Sequence, residues 1–331
     1  MQENNISKAN GVIDAIPSIQ LYEYSQICGS GNSVQDIPVA FRLNDVEMGT
    51  CVKDQGSVGA CVACATSTAM EALLLRSLLN LDDGVEITAD SLNKEIFGYD
   101  EISEGYTYGT CRYDTSKSEG MIPSVCLDYL KSQGTVPKKI FNYLEEMPDI
   151  KETTKKFPEL KDDAENYKIK SYVSFNQARP HKDNAIKEAL LKYRVPLVCV
   201  APKKFGESHC ICLVGWDDSD DTYWIKNSWG KDWGDNGLSK IKRSDITQVY
   251  LLMNNEIQLP FTDVNKNDWF YSAVKHVYMS ELMNGRTENT FDPNAPITRA
   301  EYATGLSRLM KKIDERLENL NKIIDLKFSK E

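Results

Sequence analysis

The stretch that decides the fold reads Asp54-Gln55-Gly56-Ser57-Val58-Gly59-Ala60-Cys61-Val62-Ala63-Cys64. It is a glycine-rich turn that delivers a cysteine to the start of an apolar run, which extends to about Leu79 and stops at Asp82-Asp83-Gly84. This pattern predicts a helix followed by a turn. A cysteine on the first turn of a helix lies at the positive end of the helix dipole, which stabilises the thiolate that attacks carbonyl groups. Two interpretations are open: Cys61 is a nucleophile, or it is a small buried residue of a core helix, as most free cysteines are.

The composition limits the class of protein. A chain of 331 residues is long enough for two domains, and its 41% hydrophobic and 27% charged residues are ordinary for a soluble globular protein. The formal net charge of −10 argues against nucleic acid as a main partner and gives no reason to expect binding to an anionic membrane. Because no window approaches roughly 18 uninterrupted apolar residues, we predict no membrane span.

The N-terminal residues 1–36 are polar and weakly patterned, so we expect an N-terminal arm outside the folded core. This segment has neither a basic start nor an apolar centre and does not look like a secretory signal. On that ground the expected compartment is the cytoplasm.

The cysteines do not have the spacing of a disulfide framework; they stand at positions 28, 51, 61, 64, 111, 126, 199, 210 and 212. Cys61-x-x-Cys64 could be a redox pair, and Cys210-x-Cys212 beside His209 could belong to a zinc site. Both interpretations need further partners at close spacing, and the sequence has no second C-x-x-C motif. We therefore predict no metal and no cofactor.

The periodicity changes in the middle of the chain. Residues 61–79 and 124–132 have helical patterns, while residues 82–120 look loop-rich. Beyond them, apolar runs predict a helix at 184–193 and strands at 167–173, 196–200, 210–216, 222–226 and 237–243. A helical half followed by a β half favours an α+β domain with a cleft between the two parts.

A nucleophilic cysteine needs a base, and the base needs a group that holds its ring. Of the three histidines, His209 stands directly before the buried strand 210–216, whereas His181 and His276 lie in a polar loop and on a C-terminal helix. Asn227 ends the strand 222–226. His209 follows Cys61 by roughly 150 positions and Asn227 comes after it, an order and spacing that favour a Cys, His, Asn arrangement.

These motifs resemble the papain-like cysteine peptidases over about residues 37–257. The similarity lies in Asp54-Gln55-Gly56 with Gly59-Ala60-Cys61, in Ser208-His209 with Val214-Gly215-Trp216, and in Tyr223-Trp-Ile-Lys-Asn227-Ser-Trp229-Gly230. The resemblance implies a two-lobed fold, in which a cleft separates a helical lobe from a β-barrel-like lobe. It also implies cysteine endopeptidase activity on peptide or protein substrates.

By position, the resemblance assigns a role to each residue of the catalytic group. Cys61 would be the nucleophile and His209 the base and then the acid. Asn227 would hold the imidazole, and Trp229 would shield that contact. Gln55 and the backbone N–H of Cys61 would form the oxyanion hole.

The substrate walls match the family less closely. By resemblance, Cys210 would line the second nonprimed subsite and Gly120 would belong to the wall across the cleft. Val58 stands where relatives usually have a cysteine, so the usual disulfide is missing. Val62 replaces the tryptophan that usually follows the nucleophile, which alters the wall beside it and the expected rate.

The C-terminal residues 260–312 resemble a bacterial S-layer homology module. The similarity lies in Pro260-Phe-Thr-Asp-Val264, Thr290-Phe-Asp-Pro293 and Ile297-Thr-Arg-Ala-Glu301. The last string predicts a helix start with a capping box between Thr298 and Glu301. The resemblance implies a small all-α module that binds anionic secondary cell-wall polysaccharide, with Arg299 in the site. The alternative is that Arg299 is a structural residue of the helix start.

The tail, residues 313–331, continues an apolar seam at Leu306, Met310, Ile313, Leu317, Leu320 and Ile324. The steps of four and three residues are those of a heptad repeat. The seam could pack on its own module or on copies of itself. In the second case a homotrimer would bring three modules together.

The sequence thus predicts four segments: the arm 1–36, a peptidase domain 37–258, the module 260–312 and the tail 313–331. The predicted function is a papain-like cysteine endopeptidase with a wall-binding appendage. Two alternatives remain: a papain-like binding protein with little activity, and a hydrolase of peptidoglycan stem peptides. The wall-binding module favours the cell wall or the exterior, in conflict with the cytoplasmic expectation from the N-terminus.

Overall fold

A computed structural model describes most of the chain beyond residue 36. The described residues are 37–49, 51–79, 81, 83–87, 101–112, 120–142, 160–175, 182–201, 204–205, 208–254, 259, 261–265, 267–279, 282–287 and 289–328. At 254, 272, 276, 279, 312 and 315–328 only the backbone is described. The predicted arm 1–36 and His181 lie outside this part of the chain, as do the side chains of His276 and of the seam from Leu317 onward.

The chain divides into two compact units. Of the described residues, the first unit holds those from 37 to 77, from 81 to 87 and from 101 to 254, and the second holds 78, 79 and those from 259 to 328. In the first unit the helices are α1 (Cys61–Leu78), α2 (Glu104–Cys111), α3 (Pro123–Ser132), α4 (Leu160–Glu165) and α5 (Lys182–Tyr193). Its strands are β1 (Ala40–Arg42), β2 (Ile169–Ser174), β3 (Leu197–Val200), β4 (Cys210–Asp217), β5 (Thr222–Lys226), β6 (Leu238–Lys242) and β7 (Gln248–Asn254).

Helix α1 is the predicted central helix, and it is buried on nearly every side. Its residues are mostly alanine, leucine and other apolar types, and 15 of its 18 side chains are buried. By length and composition alone the helix could cross a membrane. A helix that is apolar all round also suits the core of a large domain, and the burial of α1 within the first unit shows that arrangement.

The strands form one antiparallel sheet in the order β2-β7-β3-β4-β5-β6. Strand β1 pairs with the end of β4 at residues 215–217, beyond the part of β4 that pairs with β3. The five predicted strands are therefore confirmed, as is the α+β class. In the described part of the chain β2 and β6 are the outer strands, so the sheet is open and not closed into the predicted barrel-like lobe.

Helix α2 corrects the prediction that residues 82–120 are loop-rich. Its sequence, Glu104-Gly-Tyr-Thr-Tyr-Gly-Thr-Cys111, is poor in strong helix formers. Ser103 caps it, because its side chain accepts a hydrogen bond from the N–H of Tyr106 at 2.9 Å. Nearly all of its residues are buried, so tertiary packing overrides the weak local preference.

A buried cluster of charges joins α1 and α2 to the segment that precedes Gln55. Lys53 Nζ lies 2.8 Å from Glu71 Oε1 on α1 and 3.6 Å from Glu104 Oε2 on α2. The same Glu71 oxygen accepts the N–H of Ile102 at 2.9 Å. Burial alone would lower the pKa of Lys53, but the two carboxylates outweigh it and raise that pKa. The cluster therefore holds the glycine-rich turn against both helices.

The second unit has two described helices, α6 (Tyr271–Met279) and α7 (Arg299–Phe328). The carboxylate of Asp263, which precedes α6, accepts the N–H groups of Phe291 and Asp292 from the segment between the helices, at 2.9 and 2.7 Å. The predicted capping box is confirmed: Thr298 N–H donates to Glu301 Oε2 at 2.7 Å, and Glu301 N–H donates to Thr298 Oγ1 at 3.1 Å. Helix α7 continues through the predicted boundary at residues 312 and 313.

Candidate active site

Cys61 is the first residue of α1, as the sequence predicts. The carbonyl of Ala60 accepts the N–H of Cys64 at 3.0 Å, which makes Ala60 the residue that precedes the helix. The turn before it is shaped by Asp54, whose Oδ1 accepts the N–H of Gly56 at 3.0 Å, and by the positive φ of +57° at Gly56. Cys61 is fully buried, and its backbone N–H lies in the first turn of the helix.

The sheet brings His209 and Asn227 together from neighbouring strands. His209 extends the β3–β4 pairing by one residue, since its carbonyl accepts the N–H of Ala201 at 2.9 Å. Asn227 extends the β5–β6 pairing in the same way, with its N–H donating to Gly237 at 2.9 Å. As a result, His209 Nε2 lies 2.8 Å from Asn227 Oδ1.

This hydrogen bond determines the tautomer of the imidazole. Asn227 Oδ1 also accepts the backbone N–H of Ser228 at 2.8 Å, so the oxygen end of the amide faces the ring. An amide oxygen can only accept, and the proton must therefore be on Nε2 of His209. The remaining nitrogen, Nδ1, is buried and has no hydrogen-bond partner within the described part of the chain. Nδ1 therefore has the lone pair with which His209 can act as a base.

Burial lowers the pKa of His209 from 6.5 to about 4, and the hydrogen bond to Asn227 opposes this shift only in part. The imidazole is therefore neutral at ordinary pH. It can accept a proton from a neighbouring thiol, and the cation that results needs a nearby anion.

Three aromatic rings form a cluster beside this pair: Phe205, Trp229 and Trp233. The ring of Trp229 is nearly parallel to that of His209, with centroids 4.7 Å apart and a 32° tilt. Phe205 meets His209 at 5.0 Å and 69°, and it also contacts Trp229 and Trp233. Phe205 is not predictable from the sequence, because a lone aromatic residue in the short loop between β3 and β4 carries no pattern of its own.

Gln55 joins the turn to the asparagine segment. Its Oε1 accepts the hydroxyl of Ser228 at 2.6 Å, and its Nε2 donates to the carbonyl of Val58 at 2.9 Å. Because a carbonyl can only accept, these contacts fix which end of the Gln55 amide is the donor. The backbone N–H of Gln55 also donates to the carbonyl of Ser228 at 2.9 Å.

Helix α1 packs directly on β4. The thiol of Cys212 lies 3.3 Å from the carbonyl of Ala65, one turn along from Cys61. Burial raises the pKa of Cys210, and Cys61 is the next largest cause of the increase. Cys61 and Cys64 are not joined in a disulfide.

The structure places the other predicted residues as follows. Cys210 is the buried first residue of β4, and Gly120 is buried just before α3. Arg299 is exposed at the start of α7. The second unit has a cavity of about 480 Å³, whose lining includes Arg286 and Arg308 but not Arg299.

Two family models match the chain. Residues 101–258 match the family model "Papain family cysteine protease", a range that includes His209 and Asn227 and begins after Cys61. Residues 260–303 match the model "S-layer homology domain".

Individual relatives give matches of different extent. The gamete and mating-type specific protein A of Dictyostelium discoideum is 34% identical over 70 residues, which are 21% of this chain and only 16% of that protein. The viral cathepsin of Adoxophyes honmai nucleopolyhedrovirus is 25% identical over 268 residues, 72% of this chain and 69% of the cathepsin. Xylellain, a cysteine protease from Xylella fastidiosa, shares the fold, with a TM-score of 0.51 and 18% identity over 75% of this chain and 97% of xylellain. The chain therefore carries a papain-family cysteine protease domain followed by an S-layer homology domain.

Proposed function

We propose that the chain is a cysteine endopeptidase that hydrolyses peptide bonds through Cys61, His209 and Asn227. The observation that carries the proposal is the buried hydrogen bond of 2.8 Å between His209 Nε2 and Asn227 Oδ1. It leaves Nδ1 as the basic atom, in a site where α1 supplies a thiol at its positive end. A base held by a third group is the arrangement that activates a nucleophile.

The reaction would proceed through a covalent thioester. Nδ1 of His209 takes the proton of the Cys61 thiol as the sulfur attacks the peptide carbonyl. The tetrahedral intermediate collapses when the same proton passes to the leaving amine. His209 then takes a proton from water, the resulting hydroxide attacks the thioester, and the proton returns to the departing sulfur. Through all steps the Nε2–H stays with Asn227, so the ring keeps its orientation.

The oxyanion would be bound by Gln55 Nε2 and the backbone N–H of Cys61. Support comes from the fixed amide of Gln55, whose donor end is set by Val58 and whose oxygen is tied to Ser228. Donors that are already in place need no reorganisation as charge develops, and one such donor typically contributes about 3 kcal/mol to the barrier.

Substrate side chains would contact Cys210 and Gly120, and Trp229 would shield the His209–Asn227 contact. The near-parallel packing of Trp229 on the imidazole supports its part of this proposal. Cys210 is the buried first residue of β4 and directly follows His209, which supports its place beside the site. Val62 provides less wall than the aromatic residue usual in the family.

The experiment compares wild-type protein with Cys61→Ala and with Cys51→Ala, which removes an exposed thiol outside the site. We expect wild type and Cys51→Ala to cleave unfolded protein substrates and to be labelled once by a thiol-directed peptide epoxide. Cys61→Ala should do neither. Cleavage by Cys61→Ala, or a wild type that neither cleaves nor is labelled, would refute the proposal, and the second result would favour a binding protein.

We further propose that the second unit, as a small all-α module over residues 260–312, binds secondary cell-wall polysaccharide. The match to the S-layer homology model supports it, and Arg299 presents an exposed cation at the start of α7. This function would place the protein at the cell wall. The test is sedimentation with purified wall sacculi before and after chemical removal of the polysaccharide. Equal binding to sacculi with and without the polysaccharide contradicts the proposal. Unchanged binding by Arg299→Ala would show that Arg299 does not contribute to the binding site.

The tail 313–331 is proposed to associate three copies of the chain. Support comes from the apolar side chains that α7 exposes at the start of the seam, Leu306 at 43% and Met310 at 64%. Sedimentation equilibrium at micromolar concentration should give the mass of a trimer, and Met310→Glu should reduce it. A monomer in wild type contradicts the proposal.

A further inference from the structure

Phe205 lies beside the candidate catalytic histidine and has no role in the function proposed above. It is in the short loop between β3 and β4 and is partly exposed. Its ring centroid is 5.0 Å from that of His209, 5.3 Å from Trp229 and 6.3 Å from Trp233. The plane of Phe205 is inclined by 69° to the imidazole and by 81° to the indole of Trp229. Phe205 therefore packs edgewise against a pair of rings that are stacked on each other.

We infer that Phe205 is a positioning residue that keeps the imidazole of His209 stacked on Trp229, with Nδ1 turned toward Cys61. This inference rests on the proposed peptidase function.

The need for such a residue follows from the geometry of the ring. The backbone holds one end of the His209 side chain, and the hydrogen bond to Asn227 holds Nε2 at the other end. These two points define an axis about which the imidazole can still swing, and Nδ1 lies off that axis. A third contact is required to fix Nδ1, because proton transfer demands hydrogen-bond distance and alignment.

Trp229 provides only part of that third contact. It covers one face of the imidazole, and a near-parallel neighbour permits sliding of one ring over the other. An edge-on ring, perpendicular to both members of the stack, blocks that sliding, and edge-to-face contacts of this kind are favourable. Phe205 also belongs to the short loop that ends at His209, so the contact ties the loop to the ring it presents.

A simple packing role would predict different behaviour. If Phe205 only stabilised the fold, its loss would lower stability and leave the kinetics of folded enzyme unchanged. If it only contacted substrate, its loss would raise KM. A positioning role predicts a lower kcat with little change in KM, and a changed environment of the imidazole even without substrate.

The experiment uses the full chain with four variants. Phe205→Ala removes the ring, Phe205→Leu keeps much of the volume without it, and Phe205→Tyr retains it. Trp224→Ala is the matched control, since it removes a partly exposed aromatic residue of β5 whose ring contacts Arg42 and Lys240. We expect kcat to fall by about 10- to 100-fold in Phe205→Ala and Phe205→Leu, with KM within about threefold. Phe205→Tyr and the control should stay close to wild type.

The second readout is NMR of ¹⁵N-labelled histidine, which reports on the imidazole directly. The chain has only three histidines, so His209→Gln identifies the signal. Wild type should show the Nε2–H tautomer, whereas Phe205→Ala should show mixed tautomers and a pKa raised toward 6.5 as water enters.

The two readouts separate the outcomes. Unchanged kcat and unchanged His209 signals in folded Phe205→Ala would overturn the inference, as would a change in KM alone. If Phe205→Ala does not fold, Phe205→Leu is judged by the same criteria. If wild type has no peptidase activity, the proposed function fails, and the NMR comparison alone decides whether Phe205 positions the ring.

Discussion

The buried ion pair between Lys53 and Glu71 allows a quantitative test of how the glycine-rich turn is held. Both side chains are almost fully buried, and their charged atoms are 2.8 Å apart. Glu71→Gln keeps an oxygen that can accept the N–H of Ile102 but removes the charge opposite Lys53. Removing one partner of a buried pair usually costs 3–5 kcal/mol, because the other charge is left uncompensated. Glu104 remains 3.6 Å from Lys53 and compensates part of its charge. We therefore expect Glu71→Gln to lower the free energy of unfolding by about 3 kcal/mol, the lower end of that range.

The double variant Lys53→Met, Glu71→Leu makes the prediction sharper. Replacing both charges by apolar groups of similar size is often close to neutral. The N–H of Ile102 would lose its acceptor, and a buried unpaired donor costs about 1–3 kcal/mol. We therefore expect the double variant to lose less free energy of unfolding than Lys53→Met alone, although it carries one more substitution.

The assay is urea unfolding followed by tryptophan fluorescence, because four of the five tryptophans lie in the first unit, at 216, 224, 229 and 233. Glu165→Gln is the control, since it breaks an exposed pair with Lys168 that should contribute less than about 1 kcal/mol. A decrease in the free energy of unfolding of less than about 1 kcal/mol in Glu71→Gln would refute the reasoning. A double variant whose loss equals the sum of the losses of its two single substitutions would refute it as well.

Two further predictions concern His209 and Gly237. Because burial lowers the pKa of His209 to about 4, the unfolded chain binds a proton that the folded chain does not between that pH and 6.5. The free energy of unfolding should therefore fall by up to about 3 kcal/mol as the pH drops through this window. In a Cys61→Ala background, adding His209→Gln should remove this part of the pH dependence, and an unchanged slope contradicts the burial argument. Gly237 has a φ of +83°, and a Cβ there would lie 2.4 Å from Cγ1 of Val52. Gly237→Ala should lower the free energy of unfolding, measured with urea, by about 2–4 kcal/mol, and adding Val52→Ala should recover part of that loss. A loss below about 1 kcal/mol in Gly237→Ala would contradict the prediction, because the turn would then have adapted to the added Cβ.

The elements that could be predicted are those with strong local patterns. Helix α1 follows from a long apolar run that begins after a glycine-rich turn, and the strands β3 to β6 follow from short apolar or alternating runs. Strand β7 was not predicted, although it lies inside the sheet between β2 and β3. Helix α2 was missed because its glycines and threonines oppose a helix, and only burial and the Ser103 cap make it one.

By itself, the sequence determined which residues are candidates for the chemistry, because each stands in a local context that is readable along the chain. Cys61 begins an apolar run, His209 precedes a buried strand, and Asn227 ends one. Only the tertiary structure decided how His209 and Asn227 meet. The antiparallel register of β4 and β5 puts the imidazole against the asparagine, and the contact with Ser228 fixes the amide so that the tautomer is defined. Contacts between residues distant in sequence depend on packing. Phe205 could be found only in the folded protein, because its ring packs on Trp229 and Trp233, which come after β5.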